Sequence, residues 1–137
     1  EKGEFKAHCG NYFHKEFPTF YAHMKAISTI QNQMSYFVML KPSESGGELT
    51  LYDVSWEQAE IRRPGDTVLE AHDGQLFDLL DKKSVKRDHI KPKPGDMIVF
   101  SGGRIWHKVE VARGTERYTI GGFMSIAKDD QSIYLWS

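Results

Sequence analysis

Residues 96–119 read DMIVFSGGRIWHKVEVARGTERYT, and the fold turns on this stretch. Pro94-Gly95-Asp96 is a turn signal, and Met97-Ile98-Val99-Phe100 is a short apolar run of the kind that forms a buried strand. Ser101-Gly102-Gly103 breaks that run. Trp106 to Val111 alternates inward and outward, which predicts a second strand. Arg113-Gly114-Thr115 predicts a turn, and Glu116 to Met124 a third strand. His107 and Arg117 are then expected on neighbouring antiparallel strands, ten positions apart. An imidazole can hold a metal, and a guanidinium across the turn can pair with a carboxylate bound to that metal.

Upstream, Met34 to Lys41 (MSYFVMLK) predicts a strand, Pro42 to Gly47 a turn, and Glu48 to Tyr52 an alternating strand. Glu4 to His8 is a short strand candidate that ends at the turn signal Gly10-Asn11. Residues 12–27 carry aromatics at 12, 13, 17, 20 and 21 with Pro18 between them, and predict a loop followed by a short helix. Between 53 and 95 the pattern is less regular. A short helix or excursion is expected over 56–63, a turn at Arg63-Pro64-Gly65-Asp66, a helical turn over 76–80, and a charged, solvated segment over 82–93. Short strands punctuated by Gly and Pro predict an all-β core with minor helices, in the form of a jelly roll.

Length and composition set the bounds. The 137 residues are expected to form a single domain, spanning 1–137. A net charge of −1 with no basic run argues against nucleic-acid and anionic-membrane partners. One cysteine, Cys9, provides no disulfide framework, and a cytoplasmic setting is the expectation. The chain opens in charged sequence without a Met, so an N-terminal portion of the domain is expected to be missing. Of the six histidines, His8 and His107 stand out because each is expected near a strand end. In a jelly roll such ends converge at the open mouth, and two imidazoles there suit iron(II) with open coordination positions.

His8-x-Gly10, Gly46-Gly47-Glu48-Leu49, Gly95-Asp96, Trp106-His107 and Arg117-x-Thr119 occur in an order that resembles the iron(II)/2-oxoglutarate-dependent oxygenases, over roughly residues 5–124. The resemblance implies a double-stranded β-helix, the cupin-like jelly roll. It implies His8 and His107 as metal ligands, Arg117 on the far carboxylate of 2-oxoglutarate, and Thr119 assisting it. Only seven residues precede His8, fewer than the family's usual first strands need. The family's His-x-Asp/Glu is here His-x-Gly, so the chain is similar to the halogenase branch. Two neutral imidazoles leave iron(II) a coordination position and a charge uncompensated. A halide (chloride or bromide) meets both needs beside Gly10, which has no Cβ to obstruct it. The implied cofactors are iron(II), 2-oxoglutarate, chloride and O2. The implied reaction is halogenation of an unactivated aliphatic carbon by hydrogen abstraction and halide rebound, with release of succinate and carbon dioxide.

Three alternatives stand beside that reading. His14-x-Glu16 is itself a His-x-Glu and would make the enzyme a hydroxylase, although His14 lies among Tyr12, Phe13 and Phe17 rather than at a strand end. Gly10 can also stand where a hydroxylase had Asp. A non-enzymatic jelly-roll binding module has no need of Arg-x-Thr ten residues after Trp-His. Phe5, Tyr12, Phe13 and Trp106 lie close in sequence to the proposed ligands and predict a pocket for an apolar or aromatic small molecule.

Overall fold

The computed structural model describes residues 7–59, 80 and 84–137. Phe5, His72, the expected turn at 63–66 and all but the last residue of the expected helical turn at 76–80 lie outside these. The described residues are mainly antiparallel strands: β1 Met34–Lys41, β2 Leu49–Ser55, β3 Arg87–Ile90, β4 Met97–Phe100, β5 Ile105–Val109, β6 Tyr118–Ile126 and β7 Ile133–Trp136. Short helices α1 Gly10–Glu16 and α2 Ala22–Ile27 precede β1, with a 3-10 turn at Ile30–Asn32, and α3 Trp56–Ala59 follows β2. The expected strand at 34–41 occurs as read. Other expectations shift. Gly10-Asn11 opens a helix instead of a turn, and the charged 82–93 segment contains the exposed strand β3.

Two sheets result, one in the order β4-β1-β6-β7 and the other β3-β2-β5. The chain changes sheet between β1 and β2, β3 and β4, β4 and β5, and β5 and β6. His107 on β5 and Arg117, just before β6, are therefore not on neighbouring strands, as the turn at 113–115 had suggested. Arg113 instead exchanges backbone hydrogen bonds with Ser45 at 2.8 and 3.3 Å, which carries the chain across from one sheet to the other.

Alternation along each strand then sorts the side chains. Trp106 points into a core cluster with Cys9, Tyr52, Val54, Trp56 and Leu80 and is 1% exposed. His107, one residue on, faces the other way. In the four-stranded sheet, Ser35 pairs with Phe100 and Phe123, and Phe37 with Ile98 and Gly121, so these share the face turned towards His107. The opposite face carries Val38, Met97, Ile120 and Leu135; Ile120 is 65% exposed and Leu135 63%.

Candidate metal centre

His8 and His107 meet as a reciprocal backbone pair. The amide of His8 donates to the carbonyl of His107 and the amide of His107 to that of His8, each at 2.9 Å. Such a pair places both side chains on one face, and the imidazole centroids are 4.4 Å apart. Beyond His8, the amides of Gly10 and Asn11 donate to the carbonyls of Gly102 and Gly103 at 2.8 and 2.9 Å. The glycine turn that leads into β5 thus also fixes the start of α1, and both histidines are set by backbone bonds instead of by side-chain packing alone. The φ values of these glycines need no left-handed geometry. What Gly102 supplies is close approach, since a Cβ there would lie 2.7 Å from Ser35 Cβ.

The His107 ring is oriented from behind. Its Nδ1 lies 2.8 Å from the carbonyl oxygen of Ile105. A carbonyl can only accept, so Nδ1 carries the proton and Nε2 keeps its lone pair, the tautomer a metal ligand needs. Burial, and then the neighbouring His8, push the His107 pKa down to about 4. The neutral, ligating form therefore prevails at neutral pH. Phe100 meets the ring edge-on, with centroids 4.8 Å apart.

His8 and His107 open on a cleft of about 510 Å³ between the two sheets. The same cleft is lined by Arg117, just before β6, and by Thr119, Phe37, Phe100 and Phe123 of the opposite sheet. Arg117 stacks its guanidinium over Phe37, 5.2 Å from the ring centroid, and its buried Nε has no hydrogen-bond partner. Burial lowers its pKa. A half-buried guanidinium with an unused donor suits a carboxylate. Gly47, at φ +74, is in the region that favours glycine, and it runs beside the arginine: a Cβ there would lie 2.6 Å from Ser43 Oγ and 3.0 Å from Arg117 Cδ. The donor set suits iron(II) and 2-oxoglutarate: two imidazoles, one with its tautomer fixed, and a carboxylate receptor across the cleft.

The structure brings together His8, His107, Arg117 and Thr119. Gly10, two residues after His8, lies against Gln33 and Gly103. Phe13 keeps its ring 5.7 Å from that of His8. Tyr12 packs on the core cluster beside Trp106, away from the cleft, and Trp106 is part of that cluster. Strand alternation already separates Trp106 from His107, so nearness in sequence was the weaker guide. Ser35, buried in the cleft wall with its hydroxyl unpartnered, is the polar residue that sequence reading passed over. The alternation of β1 was the signal that could have found it. His14 lies elsewhere, with Nε2 2.9 Å from Gln33 Oε1 and its ring against Tyr21. Among the described residues, no three of His, Cys, Asp and Glu gather as a metal site. No described helix is long and apolar enough to cross a membrane, which says nothing of membrane β-barrels.

A search of curated proteins gives no match. The family profile described as carrier-protein-independent halogenase WelO5 matches residues 1–137, the whole chain. With His8, His107, Arg117 and Thr119 on one cleft, the chain belongs to the WelO5 family of iron- and 2-oxoglutarate-dependent halogenases.

Proposed function

We propose that this domain installs chloride or bromide on an aliphatic carbon of a small, freely diffusing molecule, and that its strands form one double-stranded β-helix. The observation that carries the reading is the convergence of His8, His107, Arg117 and Thr119 on one cleft with a glycine at position 10. His8 and His107 would hold iron(II), which when bound supplies the activation of O2 and the radical chemistry. The Ile105 carbonyl keeps His107 Nε2 available to it. Arg117 would take the distal carboxylate of 2-oxoglutarate as a charge-assisted pair, with the Thr119 hydroxyl beside it. Gly10 offers the metal no carboxylate, which leaves an anionic position to the halide.

Phe37, Phe100 and Phe123 make that side of the cleft apolar. They would exclude water from the bound substrate and hold an aliphatic carbon near the metal by packing. The changes of sheet between successive strands support the double-stranded β-helix. The family's independence of a carrier protein supports a free substrate.

The test is mass spectrometry of products from a metabolite mixture supplied with iron(II), 2-oxoglutarate, O2 and chloride. Products with the chlorine isotope pattern, formed in step with succinate, are expected. Alcohols alone, across a range of chloride concentrations, would make the enzyme a hydroxylase.

A further inference from the structure

The glycine at position 10 is enforced by what packs against it. Gln33 is 3% exposed and lies against Gly10. A Cβ built on Gly10 would fall on the Gln33 amide nitrogen, 2.6 Å from Gln33 Cδ and 3.1 Å from Gly103 Cα. Gly103 closes the other side, where a Cβ would lie 2.9 Å from Gln33 Cγ and 2.8 Å from its carbonyl oxygen. The Gln33 side chain is thus sandwiched between two glycines that flank the two histidine-bearing segments.

Gln33 is also anchored in place. Its Oε1 accepts from His14 Nε2 at 2.9 Å. Its backbone amide donates to Ile30 at 3.0 Å, and its carbonyl accepts from Gly103 at 3.0 Å. His14 is held in turn, since its carbonyl accepts from Lys25 Nζ at 2.8 Å and its ring sits 4.5 Å from that of Tyr21. A glutamine in open solvent would move aside at little cost. This one would have to leave a buried hydrogen bond and a close-packed slot.

We propose that Gln33, held by His14, is the specificity-determining residue of the metal centre: its amide fills the space a side chain at position 10 would need, and so excludes a protein carboxylate from the metal. The inference rests on the two-histidine site proposed above. It implies that the choice between halide and carboxylate is set by positions 10 and 33 together.

The experiment compares Gly10→Ala, Gly10→Asp, Gln33→Ala and the corresponding double variants. Thermal unfolding is measured without metal, and iron(II) affinity by anaerobic calorimetry. Gly10→Ala is expected to lower Tm by about 5 °C through overpacking, and to lower it no further once Gln33 is alanine. Gly10→Asp alone is expected to lose stability without gaining iron affinity. Gly10→Asp with Gln33→Ala is expected to bind iron about tenfold more tightly than Gln33→Ala alone.

Equal Tm penalties for Gly10→Ala in both backgrounds would overturn the proposal. So would a Gly10→Asp protein that is fully stable and binds iron more tightly by itself. Should Gln33→Ala fail to fold, Gln33→Asn, one methylene shorter with the amide kept, replaces it in both comparisons. Neither readout depends on halide or product, so a failure of the halogenase reading would show separately, as alcohol product from the unsubstituted protein.

Discussion

His107 and His14 are both buried, both lose basicity to burial, and each uses one ring nitrogen in a hydrogen bond within the protein. They differ in which nitrogen is used and where the ring lies. His107 uses Nδ1 on a backbone carbonyl, keeps the Nε2 lone pair, and lines an open cleft beside a second imidazole. His14 uses Nε2 on Gln33 and packs against Tyr21. The residue type alone therefore does not mark a candidate ligand. What matters is a ring held by its far nitrogen, paired with a second ring, and facing space large enough for a metal and its cosubstrate.

The largest effect expected from breaking this contrast is on iron. His8→Ala and His107→Ala should each weaken iron(II) binding by more than about a hundredfold, whereas His14→Ala should cost stability and leave iron affinity within about threefold. Anaerobic calorimetry decides it, and an empty site in His14→Ala alone would reverse the assignment. Next in size is the cosubstrate. Arg117→Lys keeps the charge but loses the planar fork, so 2-oxoglutarate should bind about tenfold more weakly, with iron little changed. Unchanged 2-oxoglutarate affinity would remove Arg117 from the site.

The smallest effect concerns Cys9, between His8 and Gly10. It is fully buried, and burial pushes its pKa up to about 12. The thiol therefore stays protonated between pH 7 and 9, where an exposed cysteine begins to ionise near 8.5. Folded protein should resist thiol reagents across that range and react only on unfolding, as mass spectrometry of labelled protein would show. Fast labelling of folded protein at pH 8 would mean that the wall behind the histidines opens.

Much of this was legible in the sequence because strand alternation is a local property. β1 could be read residue for residue, and His8, His107, Arg117 and Thr119 do share a cleft. The features that escaped reading were set by tertiary contacts. Gly10-Asn11 looks like a turn, yet it opens a helix because the carbonyls of Gly102 and Gly103 receive its amides. Arg113-Gly114-Thr115 looks like a hairpin turn, yet the pairing of Arg113 with Ser45 sends the chain to the other sheet. Nothing in local sequence shows that Gln33 fills the space beside Gly10, because that packing joins segments more than twenty residues apart. β3 escaped because its exposed, charged residues read as surface.

A halide, not a protein carboxylate, is expected to complete the metal's coordination beside His8 and His107. Iron-edge X-ray absorption on the anaerobic protein, loaded with iron(II), 2-oxoglutarate and bromide, tests it most directly because bromine scatters far more strongly than nitrogen or oxygen. A bromine neighbour bonded to iron, absent when bromide is omitted, is the predicted result. Iron surrounded only by nitrogen and oxygen at saturating bromide would contradict it.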